Sequence, residues 1–352
     1  MKRSMPQAMR GLSLVELMVA LVIGTILVLG MVQVFAASRA AYQLSEGMGR
    51  VQENGRFAMD FLQRDIRMAG HFGCVNDQAR LLGNNAFRSH FDADGVLDFA
   101  RSIEGYDDAS PTGLTLSPAR VAGTDSLVLR FLRGNGVPVT AIDAATLSVE
   151  IDPDKWGALT DGGVASAQLF GIAHCTYADV FAADSTNSGA GQVVAPAAVD
   201  DLALYGTNPG GGPALLYRAE ALVYYIGIGA GGQPSLWRAR IAADGSTSSQ
   251  ELVEGIENMQ LRYGMDQNAA SDPTGFIAEQ GDAGDVGTTA ADWRRVGQVQ
   301  VALLAVSPNP ATAVAAEAAP RLFGEAQTVP SDGRYRAVYE TSIALRNRLY
   351  GN

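Results

Sequence analysis

The chain is poor in the residues and motifs that usually carry enzyme chemistry. Among its 352 residues only three are histidine and two are cysteine. It contains no G-x-S-x-G nucleophile motif, no H-E-x-x-H zinc-binding helix, no phosphate-binding glycine loop and no paired C-x-x-C motif. These absences predict that the protein is not an enzyme and that it has no catalytic residues, no metal site and no cofactor.

Positive charge is also scarce. The chain has 26 lysine and arginine residues against 37 aspartate and glutamate residues, so its formal net charge is −11. Proteins that bind nucleic acids normally present a basic stripe, and this balance therefore argues against direct nucleic-acid binding. Charged residues make up only 18% of the chain while glycine occurs 40 times, a composition that favours a turn-rich β-domain over a helical bundle.

The N-terminus contains a long apolar run. No charged residue occurs from Leu17 to Ala37, and a helix of this length would span about 32 Å, which matches the hydrocarbon core of a bilayer. The cations Lys2, Arg3 and Arg10 all precede the run, so they should remain in the cytoplasm while the rest of the chain is exported. The sequence thus predicts a single helix in the inner membrane and a periplasmic head.

Glu16 is unexpected, because a carboxylate near the edge of a membrane helix costs about 1–3 kcal/mol without a partner. Cleavage between Gly11 and Leu12 would create an α-amino group about 6 Å along the helix axis from Glu16. That amine can pair with Glu16 of its own chain or of a neighbouring subunit in an apolar assembly. This arrangement resembles the class III leader of type IV prepilins, in which a peptidase cuts after the glycine and the new N-terminus is methylated. In that family the glutamate guides docking onto the filament, and phenylalanine usually stands where this chain has Leu12.

Two other interpretations of the N-terminus stay open. In an uncleaved signal anchor, the mature chain would begin at Met1 and Glu16 would be incidental. An ordinary secretory signal would instead be cut after Ala36, because Val34-Phe35-Ala36 resembles a small-residue cleavage site. The mature chain would then begin at Ala37.

The two cysteines, Cys74 and Cys175, have three candidate uses. In an oxidising exported compartment the simplest is one disulfide that closes a loop of roughly 100 residues, to which chain entropy would assign ~4–5 kcal/mol. The thiols can also stay unpaired. A zinc site is the third alternative, because His71 lies close before Cys74 and His174 directly precedes Cys175. Neighbouring side chains on a strand point to opposite faces, however, which argues against His174 and Cys175 sharing one ion.

The helix is expected to continue beyond the membrane. From Leu44 to Ala69, apolar residues recur at steps of three, four and seven, which is the spacing of one helical face. Gly70 is a natural stop. We therefore predict one helix over residues 12–69, with an apolar part at 12–37 and an amphipathic part at 38–69. Three glycines should weaken it and permit a bend: Gly47, Gly49 and Gly55.

Strand signals dominate the chain after about residue 126. Segments rich in β-branched, leucine or aromatic residues, or with alternating polarity, predict strands. The glycine-rich segment Gly229–Pro234 predicts a hairpin loop between two of them. The predicted strands are Ser126–Arg133, Ala145–Ile151, Ala165–Phe181, Ala221–Ile228, Ser235–Ile241, Gln260–Tyr263, Val296–Val306 and Tyr335–Leu345.

The segment Asp266–Asp292 combines aspartate with glycine, alanine and threonine. Such a composition predicts a solvated, mobile loop, and a calcium site in the head is the alternative. The aspartates concerned are Asp266, Asp272, Asp282, Asp285 and Asp292.

Three separated blocks of the chain resemble PilW-type minor pilins of the type IV pilus. The first block is Val51–Cys74, VQENGRFAMDFLQRDIRMAGHFGC. Its last eight residues resemble the family's Arg-x-Ala-Gly-Tyr-x-Gly-Cys pattern, with His71 at the position where the family usually has tyrosine. LVEGIENMQLRYGMD (Leu252–Asp266) and RYRAVYETSIALRNRL (Arg334–Leu349) also resemble that family. The resemblance thus covers both ends and a central block, and it makes Cys74 a disulfide partner.

The resemblance implies an α+β fold, in which a long N-terminal helix packs on antiparallel β-sheets of a C-terminal head, as in J-type pseudopilins. The first half of that helix is transmembrane. The implied division is a prepilin leader at residues 1–11, a transmembrane or filament-core helix at 12–37, its amphipathic continuation at 38–69 and a periplasmic head at 70–352.

The resemblance also implies the function of a minor pilin that helps to prime a type IV pilus and sits at its tip. The implied partners are other minor pilins, the major pilin, a tip adhesin, the prepilin peptidase and the inner-membrane assembly platform. Two alternatives stay open, a tip pseudopilin of type II secretion and a signal-anchored periplasmic binding protein.

Overall fold

A single long helix forms the N-terminal part of the protein. The computed structural model describes residues 13–74, 86–207, 212–268, 274–310 and 319–348. The helix, α1, comprises the 55 residues Leu14–Met68 and is therefore about 80 Å long. Ser13 caps its first turn, and Gly70 follows its end with a φ of 74° that favours glycine. Across the described residues, the predicted continuous helix is confirmed.

The larger of two main sheets has eleven strands. Their bounds are β1 Phe87–Ser89, β2 Ile103–Tyr106, β3 Ser126–Asp143, β4 Ser148–Ile151, β5 Leu169–Ala173, β6 Ala178–Ala182, β7 Ser185–Asn187, β8 Gln192–Val194, β9 Leu215–Ile228, β10 Pro234–Ile241 and β11 Thr247–Glu254. The strand order is β1-β6-β5-β9-β3-β4-β8-β7, while β10 joins β9 to β11 and β2 pairs with β3. The sheet is antiparallel except at one pair, β1 with β6, which is parallel and departs from the predicted antiparallel arrangement.

A smaller, fully antiparallel sheet contains the strands nearest the C-terminus. Its order is β13-β12-β14-β17, and a two-stranded hairpin, β15 with β16, lies beside it. The bounds are β12 Ile256–Asp266, β13 Ile277–Gly281, β14 Val296–Pro310, β15 Arg321–Leu322, β16 Glu325–Ala326 and β17 Arg334–Ala344. Short helices occur at Ala203–Thr207 (α2), Ala283–Val286 (α3) and Ala290–Arg294 (α4), and 3-10 turns at Pro153–Leu159 and Arg346–Arg348.

Hydrogen bonds at Gly255 and at the Asp125 carboxylate connect the two sheets. Gly255, between β11 and β12, donates a hydrogen bond to Pro234 of the larger sheet and accepts one from Val306 of the smaller sheet, both at 2.8 Å. Asp125, just before β3, receives a hydrogen bond from the Leu261 N–H of β12 at 2.8 Å. Burial raises the pKa of Asp125 to about 6, despite the hydrogen bonds that it accepts.

The main hydrophobic core lies between α1 and one face of both sheets. Its members from the helix include Val51, Leu62 and Ile66, all fully buried. Strands of both sheets cover them with apolar side chains, so the helix is an integral part of the head. The strand residues include Leu127, Leu129, Leu222, Ile226, Leu261, Val299, Val301, Leu303 and Ile343.

The predicted strand Ala165–Phe181 is wrong as a single element, because a tight turn divides it into β5 and β6. At this turn, His174 donates its backbone N–H to the Tyr177 carbonyl at 3.0 Å. The His174 ring nitrogen Nδ1 accepts the backbone N–H groups of Thr176 and Tyr177. The turn itself, His174-Cys175-Thr176-Tyr177, contains no glycine, proline or asparagine, so the usual sequence signals of a turn are missing there.

The prediction of a loop over Asp266–Asp292 is also wrong for the described part, which contains β13, α3 and α4; mobility of this segment stays a prediction. Asp282 and Asp285 are exposed, as predicted, but they make local hydrogen bonds. Asp282 and Asp285 form a capping box at the start of α3, and Thr289 and Asp292 form another at α4.

Candidate assembly helix and its junction with the head

The N-terminal half of α1 is an apolar surface without a partner in the monomer. From Leu14 to Phe35 its large hydrophobic side chains are between 52% and 76% exposed. Within the described ranges, α1 is the helix that is long and apolar enough to cross a membrane, with a mean hydropathy of 2.5 over an 18-residue window. A helix that is apolar on all sides requires lipid or other apolar helices around it.

Glu16 lies in the first turn of this exposed half. Its backbone N–H donates to Ser13 Oγ at 3.2 Å, and the spacing Ser13-x-x-Glu16 is that of a helix capping box. The predicted cleavage residues Gly11 and Leu12 lie outside the described residues. The pairing of Glu16 with a new N-terminus therefore stays a prediction.

The C-terminal half of α1 is buried along the face that the periodicity predicts. Within the predicted apolar stripe, Leu44 and Met48 are partly exposed at the edge of the head, and the later members are buried: Val51, Ala58, Leu62, Ile66 and, just after the helix, Ala69. The apolar side chains of α1 are thus exposed in its first half and buried against the head in its second half.

A buried carboxylate links α1 to the larger sheet. Asp65 is only 4% exposed, and it accepts hydrogen bonds from Tyr224 Oη at 2.5 Å and from Arg238 Nη1 at 3.2 Å. Burial raises the pKa of Tyr224 well above its ordinary value, and the Asp65 carboxylate raises it further, so the hydroxyl remains a donor. Sequence reasoning missed Asp65. The available signal was its position inside the apolar stripe, three residues after Leu62 and four before Ala69.

Strand β17 holds the other side of the helix. Tyr339 Oη donates to the Val51 carbonyl at 3.2 Å, and Gln63 Nε2 donates to Thr341 Oγ1 at 3.3 Å. Beyond the strand, Asn347 Nδ2 donates to the carbonyls of Arg67 and Ala69. These last contacts satisfy carbonyl groups that the end of a helix leaves without internal partners.

The glycines of α1 have a packing role that the sequence did not indicate. The Gly55 Cα lies directly under the Tyr339 ring, so any added Cβ would overlap ring atoms. At Gly47 an added Cβ would lie 3.3 Å from Ser307 Cβ on β14. Gly47 and Gly55 therefore allow the small sheet to approach the helix backbone, whereas around Gly49 a Cβ would meet no heavy atom within 4 Å.

We predict opposite effects for two chemically identical substitutions. Gly49→Ala should raise the free energy of unfolding by about 0.5–1 kcal/mol, because alanine has the higher helix propensity. Gly55→Ala should lower it by about 1–3 kcal/mol, because overpacking displaces Tyr339 from the Val51 carbonyl. Chemical unfolding of the full chain in detergent, followed by tryptophan fluorescence, measures both. Equal stabilisation by the two substitutions would contradict the close packing of the Tyr339 ring on the helix backbone at Gly55.

A disulfide joins the end of the helix to the larger sheet. Cys74 follows α1 by six residues, and Cys175 lies in the turn between β5 and β6; their Cα atoms are 4.8 Å apart. The bond agrees with the simplest predicted use of the two cysteines. It encloses a segment with a sequence separation of 101 residues, so it fixes the helix exit relative to a distant hairpin.

The zinc alternative is wrong, because the disulfide occupies both sulfur atoms. His71 and His174 are engaged elsewhere: His71 Nδ1 lies 2.8 Å from the Leu132 carbonyl, and His174 Nδ1 accepts the N–H groups of its own turn.

The aspartates proposed for calcium have local roles wherever the structure describes them. Asp266, for example, accepts the Thr274 hydroxyl at 2.9 Å. Asp272 lies outside the described residues, and calcium binding by this segment stays an untested alternative.

Two family models match the chain. The model described as a prokaryotic N-terminal methylation motif matches residues 7–32, which include Gly11, Leu12 and Glu16. The model described as type IV pilus-assembly protein W matches residues 223–347. No curated protein and no solved structure matches the chain. The two matches confirm the resemblance to type IV pilus-assembly protein W and to the prepilin-like leader, and the C-terminal match includes Leu252–Asp266 and most of Arg334–Leu349. The block Val51–Cys74 lies outside both matched ranges.

The matched C-terminal region contains much of the surface that packs on α1. Five residues that lie against the helix or its end fall within residues 223–347: Tyr224, Arg238, Ser307, Tyr339 and Asn347. Strand β3, which packs in the same core through Leu127 and Leu129, lies outside this region. The larger part of the eleven-stranded sheet, from β1 to β8, lies outside that region.

Proposed function

We propose that the chain is a minor pilin that helps to prime type IV pilus assembly and sits at the pilus tip, and the matches to the N-terminal methylation motif and to pilus-assembly protein W support this proposal. The observation that carries this proposal is the division of α1. Its first half bears the methylation motif and is apolar and exposed, while its second half is fixed in the head by β17 and the larger sheet. Because α1 is one continuous helix, the position of its N-terminus in a filament would fix the position of the head.

The proposal divides the chain as the sequence suggests. Residues 1–11 are the leader, 12–37 the part that resides first in the inner membrane and then in the filament, 38–69 the part docked in the head, and 70–352 the periplasmic head. The prepilin peptidase cuts between Gly11 and Leu12, and Leu12 is then methylated. The assembly platform, the major pilin, other minor pilins and a tip adhesin are the partners.

Filament entry is a transfer between two apolar environments. Extraction from the bilayer removes lipid from the exposed half of α1, and packing against helices of neighbouring subunits replaces it. Glu16 lies at the outset of this apolar surface, where an unpaired carboxylate is costly. A pair with the Leu12 amine of a neighbouring chain offsets that cost and selects the correct axial position.

The size of the head supports a tip or priming position over a position along the fibre wall. Beyond the small sheet that grips the helix, the head carries the strands β1–β8 and their loops. A bulky head of this kind is hard to repeat densely around a helical fibre. At the tip of a pilus, by contrast, only one side of the head needs to contact other subunits.

Deletion of the gene with complementation tests the proposal. Cells without the protein should have few or no surface pili by electron microscopy, while secretion through the type II system stays normal. Restoring the full chain should restore pili. Lost secretion with normal pili would instead identify a pseudopilin, and normal pili together with normal secretion would contradict any filament role.

A further inference from the structure

Strand β17 forms a long edge of the smaller sheet. It pairs with β14 on one side, and among the described residues no strand pairs with its other side. The other outermost strands are shorter. β17 has 11 residues, compared with three in β1 and β7, five in β13 and eight in β11.

The hydrogen-bond register shows which backbone groups face outward. Leu345, just past the strand, donates its N–H to the Gly297 carbonyl at 2.9 Å, and Tyr335 donates to Ser307 Oγ at 3.0 Å. In an antiparallel pair the alternate residues point the other way. The outward N–H and C=O groups therefore belong to Arg336, Val338, Glu340, Ser342 and Ala344.

This edge lacks several of the features that usually prevent strand addition, although it carries the charged residues Arg336 and Glu340. Edge strands are commonly protected by proline, lysine, short length or a bulge. β17 contains neither proline nor lysine, and its pairing with β14 is regular from Ala344 to Arg336. The β15–β16 hairpin packs on a face of the small sheet, where Leu322 joins Leu304 and Val338. Within the described part of the chain, the outward groups of the edge have no main-chain partner.

Charge at the end of this edge indicates the chemistry of a partner. Arg346 follows β17, and Asn347 ties this point to the Arg67 carbonyl on α1. Both Arg67 and Arg346 are exposed, and neither has a carboxylate within ion-pair distance among the described residues. Arg334 and Arg336, by contrast, are paired with Asp332 and Glu257. In a chain with a net charge of −11, this end is a local basic site.

We propose that β17 accepts an extended strand from a neighbouring pilin subunit, with acidic side chains of that strand placed at Arg67 and Arg346. Main-chain hydrogen bonds to the outward groups hold the strand, and the charges set its register. The added strand lies beside the buried half of α1, so it couples the partner directly to the helix. This inference rests on the proposed function for the identity of the partner as a filament subunit.

Photo-crosslinking in cells tests the proposal with the full chain. Benzoylphenylalanine at Ala344 should crosslink to an acidic, extended segment of another pilin. Ser342→Pro removes an outward N–H without touching a main-chain bond to β14 and should reduce the crosslink about tenfold. Ser342→Ala is the matched control, because it also loses the hydrogen bond from Gln298 Nε2 of β14 to Ser342 Oγ but keeps the outward N–H, and it should leave the crosslink unchanged. An unchanged crosslink in Ser342→Pro, a crosslink to a second copy of this chain, or none at all would overturn the proposal.

A charge variant keeps the test valid if the proline perturbs folding. The double change Arg67→Glu with Arg346→Glu alters no main-chain bond and should also reduce the crosslink about tenfold, because like charges then face each other. Arg321→Glu on the β15–β16 hairpin is its control and should have no effect. Pili that still depend on this chain but show no such crosslink would contradict the edge proposal alone, whereas normal pili in the deletion strain would contradict the proposed function.

Discussion

Replacing Glu16 by glutamine is expected to leave the protein folded in the inner membrane and to reduce its recovery in sheared pili by at least about tenfold. Glutamine preserves the size of the side chain and its suitability for the third position of a capping box. It removes the negative charge, however, and leaves the ammonium group of a neighbouring Leu12 without a partner in an apolar surrounding. Breaking a buried pair in this way typically costs 3–5 kcal/mol.

The matched control for Glu16→Gln is Ser13→Ala. Ser13 Oγ caps the first turn of α1 by accepting the Glu16 N–H, so its removal should cost about 0.5–2 kcal/mol of local helix stability. Because the charge of Glu16 stays in place, incorporation into pili should be reduced only slightly. Immunoblots of sheared pili, normalised to the amount in membranes, measure both variants. Equal losses for the two would assign Glu16 to helix capping and contradict the ion pair.

Removal of the disulfide is expected to have the second large effect, on stability. The double variant Cys74→Ser with Cys175→Ser should have a free energy of unfolding about 2–5 kcal/mol below that of the wild type. The bond closes a segment with a sequence separation of 101 residues, and a cross-link over so long a loop strongly restricts the unfolded chain. Both cysteines are exposed, so the substitutions themselves remove little packing.

Reduction of the wild-type protein provides the control for the disulfide variant. Because the effect arises from the cross-link, reduced wild type and the double variant should unfold at the same denaturant concentration in detergent solution. If the free energy of unfolding falls by less than about 1 kcal/mol in both proteins, the disulfide between the end of the helix and the β5–β6 turn is not needed to stabilise the head. If stability is lost in the double variant but not in the reduced wild-type protein, the effect arises from replacing the cysteine side chains and not from removing the cross-link.

The elements that could be predicted from the sequence are those in which local pattern and burial agree. The apolar stripe from Leu44 to Ala69 predicted the buried face of α1, because the head covers one side of a regular helix. The strands β9, β10, β12, β14 and β17 were recognised because each carries a dense run of β-forming residues. The Gly229–Pro234 loop also predicted the hairpin of β9 and β10, which is confirmed. The other pairings depend on distant contacts and were not predictable from the pattern.

The contacts that fix the helix in the head could not be found in this way. Gly55 was interpreted as a residue that weakens the helix, because helix propensity alone does not reveal that the Tyr339 ring packs on it. Asp65 was overlooked because its partners, Tyr224 and Arg238, lie far away in sequence. The turn at Cys175 lacks turn residues, and its shape depends on the His174 side chain and the disulfide.

The mass of the mature N-terminus tests the central claim of this account most directly. If the chain is a processed pilin, protein isolated from cells should begin at Leu12 and carry one added methyl group on its α-amine. A chain that begins at Met1 or at Ala37 would have no amine close to Glu16, and the account of filament entry would be wrong.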